Sequence, residues 1–443
     1  MMRGPRAFFI AGALAISGRF AIGCATSTDT TEVEPSSGGD DASIVPTPPD
    51  GESPSDAGAS DGDAPLDATT PTCSVDGWCY TTLPAPDSYD ASAITSAVDG
   101  LTYGLRGVWI APDHRVWAVS TYGHVLLWDG TSWSVKAVLP GDLRSIWGPS
   151  ATELWVSGAG GFIMHGTVTG SEVTFGERAT FTTKTTQVMG RIVGVGAEVW
   201  AIADSFTSSS NTNRVWRLDP GSNPPSFSPT TVPNTFPGTS PSVRISALWT
   251  VGSDFWIAGY ERACVGASPC TTMSNLFAKR WVVSSDGEPS WEALTFNQGE
   301  TNLVHGATTT SDGVHLLGVE GFQSDDSLLV RLATDKSKLD ASAGDAGIVD
   351  EGAYAWTKEP IASRYGQEVD VWAANQSDVW VIGKEGLVRH FDGTSWKLVR
   401  TSLTNVTPLL KDLYDIDGEI APSGEQDLWI VGDDVALHKK VKP

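Results

Sequence analysis

Positive charge is scarce in this chain: 29 Lys and Arg stand against 53 Asp and Glu over 443 residues, a formal net charge of −24. A nucleic-acid groove would repel it, so nucleic acid is excluded as an unaided partner. Long apolar runs are missing too, and none reaches the roughly 18 residues that a membrane-spanning helix requires. No Gly-x-Ser-x-Gly elbow, phosphate loop, His-Glu-x-x-His segment or dinucleotide fingerprint occurs, which leaves no motif-borne catalytic site and no cofactor. An enzyme assembled from residues far apart in sequence would escape that search. Methionine is rare, at 5 residues, whereas Trp (18) and Gly (47) abound. Bulky anchors joined to turn formers favour many short strands over long helices.

Arg3 and Arg6 form a short basic region, Ala7 to Gly18 is an apolar segment, and Ala21-Ile22-Gly23 places small residues before Cys24. That order reads as an export signal. Its end resembles the lipobox of bacterial lipoproteins. The resemblance implies that residues 1–23 are removed, that Cys24 is acylated, and that Ala25 directs the product to the outer membrane of a Gram-negative bacterium. An ordinary cleaved signal and a secreted product are the alternative. Buried lipid contributes roughly 0.8 kcal/mol per CH₂, so lipid alone would serve as the membrane contact.

Residues 24–72 contain no aromatic residue, Lys or Arg, but 8 Asp, 8 Thr, 7 Ser and 7 Pro. Such a stretch cannot bury enough apolar surface to offset its chain entropy. It reads as a disordered stalk, stretched by charge and proline beyond the roughly 35 to 42 Å expected of a flexible linker of that length.

From residue 73 to 443 the chain repeats. The clearest copy is Leu105 to Val138: Val108-Trp109-Ile110, Val116-Trp117-Ala118-Val119, Val125-Leu126-Leu127-Trp128 and Ser132-Trp133, with turns at Asp113, Gly123 and Asp129-Gly130. Asp-Gly between alternating hydrophobics is a hairpin signal. Leu143 to Thr180 and Val369 to Ser402 repeat it, the first two tryptophans being eight residues apart in all three. Weaker copies centre on Trp200, on Trp249 and Trp256, on Val314 to Gly318, and on Trp429. Seven units of four short strands, each too small to bury its own faces, predict an all-β fold, a single seven-bladed β-propeller. The last unit lacks its fourth strand. Asp76-Gly77-Trp78 near the other end imitates Asp129 to Trp133, so residues 74–84 are expected to complete blade seven. An open solenoid would need caps instead of an exchanged strand.

These Trp-Ala/Val-Val-Gly and Asp-Gly-x-x-Trp segments resemble bacterial secreted propellers of the Asp-box (sialidase-type) and photosystem II assembly-factor classes. Ser284-Ser285-Asp286-Gly287-Glu288-Pro289-Ser290-Trp291 comes nearest to an Asp-box, with its glycine one place early. The resemblance implies the fold and transfers no sialidase chemistry.

Cys73 with Cys79 and Cys264 with Cys270 are the favoured disulfides among three possible connectivities; a hairpin loop at Val75 to Gly77 would bring the first pair together. Zinc fits neither spacing, and no metal site is assigned. The seven histidines are scattered or recur at equivalent repeat positions, which favours packing over catalysis. Three successive units enlarge the loop between strands two and three: Ser205 to Asn213, Tyr260 to Asn275 and Glu320 to Asp326. Those loops should crowd one sector of one face, where recognition usually resides. Phe206, Tyr260, Arg262 and Phe322 are therefore the candidate ligand-binding residues, with neutral loop drift as the alternative. The functional expectation is a monomeric, non-catalytic binding or adhesion module for a glycan or protein ligand. The alternative is a carbohydrate hydrolase or lyase, which clustered acids and an arginine around a deep central pocket would favour.

Overall fold

The computed structural model describes residues 73–84, 103–183, 187–203, 214–234, 239–265, 271–283, 286, 288–296, 303–320, 327–339, 348–350, 354–361, 368–404 and 407–442. The signal segment, Cys24 and the stalk lie outside the described residues.

The turn chemistry read from the sequence acts locally. Asp129 Oδ1 accepts the N–H groups of Thr131 and Ser132, both at 2.8 Å, while Gly130 adopts φ 100°. Asp392 repeats this with Thr394 and Ser395 at 3.0 Å. These N–H donors hold the Asp129 carboxyl at about 2, below its usual range. The turn acids therefore cap hairpins, and each cap delivers the chain into an outer strand, Trp133–Val138 or Trp396–Leu398.

Seven antiparallel sheets result. Blade one spans Leu105–Ile110, Val116–Ser120, His124–Trp128 and Trp133–Val138; blade two spans Leu143–Ser150, Glu153–Gly158, Phe162–Thr169 and Glu172–Arg178. Blades three to six begin with inner strands Met189–Val195, Thr239–Val251, Leu303–Thr309 and Glu368–Asn375. Blade seven combines Leu413–Ile420, Gln426–Gly432 and Val435–Val441 with Cys79–Tyr80 from the opposite end of the chain. Two blades carry a fifth short strand that the repeat does not announce: Thr180–Phe181 runs parallel to the outer strand of blade three, and Val349–Asp350 pairs in blade five.

The hydrophobic core is divided into seven clusters, each drawn from two consecutive blades. Inner-strand tryptophans set the spacing between blades. Trp109 lies over Gly148 of the next blade, Trp147 over Gly194, and Trp372 over Gly418; a Cβ on these glycines would stand 2.5, 2.6 and 2.6 Å from the indole. Only a residue without a side chain fits there.

Closure follows the expected exchange. Cys79 pairs with His438 and Tyr80 with Leu437, and Thr81 N–H donates to Ala436 O at 3.0 Å. Ser74 and Gly77 form the preceding tight turn, and Cys73 is disulfide-bonded to Cys79 across it. Trp78 is fully buried and meets Trp380 of blade six edge-on at 5.5 Å, which ties the closing strand to the neighbouring blade.

The enlarged loop expected at Tyr260 to Asn275 is corrected by the structure. Blade four extends its strands to Thr239–Val251, Asp254–Val265 and Thr271–Val283, with pairing unbroken from Tyr260–Leu276 to Val265–Thr271. The insertion is a three-stranded tongue. Its alternation was hidden by charge: Glu261 is fully buried against Lys279, whose ammonium also donates to Pro233 O at 2.6 Å, whereas Arg262 faces outward.

The packing rule gives a direct test. Gly148→Ala should lower stability by about 2 kcal/mol or more, because the Glu153 carbonyl, 2.1 Å from the added methyl, and Trp109 must both shift, whereas Gly176→Ala, whose nearest neighbour would be 3.9 Å away, should stay within about 0.5 kcal/mol. Equal urea midpoints for the two variants would refute the indole-on-glycine spacing.

Candidate binding site in the axial channel

Each inner strand is a sheet edge, so its outward N–H and C=O groups face the axis without a further strand to pair with. All seven carry a register shift at one equivalent place: between Leu105 and Gly107, Leu143 and Ser145, Met189 and Arg191, Ile245 and Ala247, Val304 and Gly306, Glu368 and Asp370, and Leu413 and Asp415. A bulge bends the strand and re-aims one side chain. The bulged residues Arg106, Arg144, Gly190, Ser246, His305, Val369 and Tyr414 all line an axial cavity of about 570 Å³.

The mouth is lopsided. Blades seven, one and two contribute Tyr414, Arg106 and Arg144, whereas blades three and four contribute only Gly190 and Ser246. The Arg106 guanidinium lies 3.6 Å over the Tyr414 ring and 3.8 Å from Asp433, and the Tyr414 hydroxyl donates to Asp433 at 3.0 Å. Burial pushes that hydroxyl up to about 12, with Asp433 adding and Arg106 opposing. Arg144 pairs with Asp142, and Lys384 and Asp412 also reach the wall.

One residue further along, in blades two, six and seven, side chains satisfy part of the open edge. Ser145 Oγ accepts the N–H of Ile192 at 3.3 Å, and Asp415 Oδ2, at the equivalent place in blade seven, accepts the N–H of Val108 at 2.8 Å. Asp417 takes the N–H of Ile110 at 2.7 Å and of Gly418 at 2.8 Å. Asp370 Oδ1 accepts from Val371 N at 3.0 Å. Arg191 extends from blade three across the axis, 2.7 Å from Asp370 and 3.8 Å from Asp415. Burial opposes its charge, but the two carboxylates outweigh burial and raise its pKa. Burial raises the Asp417 carboxyl to about 7 against the two N–H bonds. Asp415 is also raised, by burial and by Asp370, with Arg191 opposing.

Of the expected binding residues, Tyr260 and Arg262 fall among the described residues. Tyr260 is half-buried against the core between blades four and five and accepts from Arg244 at 3.4 Å; Arg262 is exposed and donates to Ser242 at 3.0 Å. Both stand on the tongue, and neither lines the cavity. Phe206, Phe322 and Cys270 lie outside the described residues, while Cys264 is disulfide-bonded. Among the described residues no three His, Cys, Asp or Glu side chains are grouped to hold a metal ion. Three histidines pack as repeat elements: His165, His390 and His438 stack on Trp155, Trp380 and Trp429 at 4.6, 4.0 and 4.2 Å, and the latter two bond Asp378 and Asp427 at 2.7 and 2.8 Å. Arg217 and Arg280 take that place opposite Trp200 and Trp256. The channel residues escaped the sequence reading, although Leu105-Arg106-Gly107-Val108-Trp109 and Leu143-Arg144-Ser145-Ile146-Trp147 show one polar residue at a fixed place in an otherwise apolar strand.

No protein-family model and no curated protein matches the chain. Solved structures do. YCF48 from Cyanidioschyzon merolae matches with a TM-score of 0.51 and 15% identity, covering 82% of this chain and 98% of that one. YCF48 bound to D1 peptide matches with a TM-score of 0.50 and 16% identity, covering 84% and 98%. The chain is similar to YCF48 in fold. At these identities the likeness to YCF48 carries the propeller architecture and nothing further.

The Asp417 carboxyl, raised from roughly 4 to about 7, binds its proton more tightly folded than unfolded. Its contribution therefore falls as pH rises from roughly 4 to 7 and stays unfavourable above that. Asp417→Asn should lose on the order of 1 kcal/mol at pH 5, where it forfeits the Gly418 bond, and recover relative to wild type by pH 8. Parallel melting curves across that range would contradict the assignment.

Proposed function

We propose that the propeller is a non-catalytic binding module held at the cell envelope by lipid on Cys24, with an acidic peptide segment received at the channel mouth. The observation that carries the reading is the cationic sector made by Arg106 and Arg144 on adjacent blades. Arg106 is pre-oriented by the Tyr414 ring, and the small residues Gly190 and Ser246 on the next two blades leave room beside the pair. A guanidinium held in place loses little freedom on meeting a carboxylate, and its fork matches that group. The YCF48 structure bound to D1 peptide supports a peptide as the kind of ligand such a fold can hold. The tongue, with Tyr260 and Arg262, stands as a second contact surface.

A carbohydrate hydrolase or lyase is the second reading, favoured by one observation: Asp370, Asp415 and Asp417 cluster with Arg191 inside a deep cavity, where perturbed carboxyls often mark catalysis. Binding takes precedence because each of these carboxylates already accepts a backbone N–H. Sugar release from a polysaccharide panel that disappears in Asp417→Asn would reverse that order.

With a fluorescent hexa-aspartate peptide as probe, Arg106→Ala and Arg144→Ala should each weaken binding about tenfold, or about 1.4 kcal/mol. A hexa-glutamine peptide should bind poorly to every form. Wild-type affinity in both arginine variants would remove the mouth from consideration, and loss in Tyr260→Ala or Arg262→Ala alone would move recognition to the tongue.

For the anchor, Cys24→Ser should shift the protein from the detergent phase to the aqueous phase. Unchanged partitioning would rule out lipid at that residue.

A further inference from the structure

Four cations and four carboxylates line the channel: Arg106, Arg144, Arg191 and Lys384 against Asp370, Asp412, Asp415 and Asp417. Fully ionised, they cancel. Arg106 and Arg144 also face Asp433 and Asp142 from outside the cavity, so the mouth holds little surplus charge of its own. The floor, however, carries more acid than the fold requires. Ser145 does for Ile192 N–H what Asp415 does for Val108 N–H, from the same place in the repeat and with a neutral hydroxyl.

We propose that the channel floor is a proton switch on the mouth: a proton taken up by Asp415 or Asp417, which cluster with Asp370 around Arg191, removes one negative charge from the lining and strengthens the hold on an anionic ligand. This rests on the reading of the mouth as an anion-binding surface and assigns its regulation.

Floor and mouth are close enough to communicate. Tyr414 and Asp415 are consecutive residues, about 3.3 Å apart along the strand, well within the Debye length of about 8 Å at physiological salt. Arg191 touches Asp370 and Asp415 together, so the two acids share one counter-charge and the second is stabilised less. Among the described residues no cation pairs with Asp417, which is held by the N–H groups of Ile110 and Gly418, donors that also accommodate a neutral acid. The carboxyls of Asp415 and Asp417 are accordingly the two raised ones, Asp417 to about 7.

The other charged groups facing the floor are identifiable blade by blade. Blade five contributes His305. Blade seven adds Glu419, which bonds His114 of blade one at 2.7 Å. Blades one and two add Arg106 and Arg144. The test carries His305 and His114 as separate controls.

Hexa-aspartate is a suitable probe because its side chains, near 3.9 in free peptides, stay ionised from roughly pH 5.5 upward. Wild-type protein should bind it about tenfold tighter at pH 5.5 than at pH 8.0, with net proton uptake on binding near pH 7. Asp415→Ser combined with Asp417→Asn should show the tight value at both pH values. His305→Gln and His114→Gln should keep the wild-type ratio, and Arg106→Ala should weaken binding at both pH values with the ratio retained. Equal wild-type affinity at the two pH values, with Arg106→Ala still weaker, overturns the switch and leaves the mouth reading intact. A ratio abolished by either histidine substitution also overturns it. Should the peptide fail to bind, the mouth reading fails, and carboxyl ¹³C NMR of the free wild-type protein decides the switch. Titration of Asp415 or Asp417 between about pH 6 and 8 supports it, and titration of both near the free value of about 4 overturns it.

Discussion

No blade of this protein can bury both of its own faces, and everything else in the structure follows from that constraint. The core is seven interfaces, each supplied by two neighbours, so a missing neighbour would expose an apolar face. Closing the ring is thus a requirement of burial. The strand that closes it also brings Trp78, which fills the interface between blades six and seven. Hydrophobic burial is non-directional; the direction comes from Trp109, Trp147 and Trp372, each seated on a glycine of the next blade.

Closure leaves one problem unsolved, namely the seven inner edges that look at each other across the axis. Widening the ring would admit water to satisfy them but would loosen the indole-on-glycine contacts. The chain instead bends each edge with a bulge and caps the edges of blades one and three from the neighbour. Those two devices place Arg106, Arg144 and Tyr414 in the mouth and Asp415 and Asp417 on the floor. The candidate site is thus a by-product of edge management, with residue choice free at the bulged positions because neither blade packing nor pairing constrains them.

That freedom explains what could be read in the sequence. Features driven by local chemistry were legible: the Asp129-Gly130 and Asp392-Gly393 turns, the paired tryptophans Trp109 with Trp117 and Trp372 with Trp380, the exchanged strand at Cys79–Tyr80 and the Cys73–Cys79 hairpin. The tongue was misread because Glu261 looks like a loop residue until Lys279 is seen opposite it, a pairing that strand register alone creates. Arg191 was invisible for a different reason. Its partners Asp370 and Asp415 come from blades on the far side of the ring, and no local spacing encodes a contact across an axis. Phe206 and Phe322 were chosen from loop length and lie outside the described residues.

The proposed anion-binding mouth, on a chain of net charge −24, looks contradictory until range is considered. At physiological ionic strength exposed charges are screened beyond about 8 Å, so the acidic exterior acts on approach and the channel lining acts on contact. A highly charged anion is slowed on the way in, and one that arrives meets guanidinium groups in a partly desolvated mouth where each bond counts for more. Such an arrangement discriminates: a ligand succeeds by presenting a carboxylate to Arg106 and Arg144 at the right depth, not by total charge. Selectivity would then rest on both sets of residues, the guanidiniums at the bulged positions and the carboxylates that cap the inner edges.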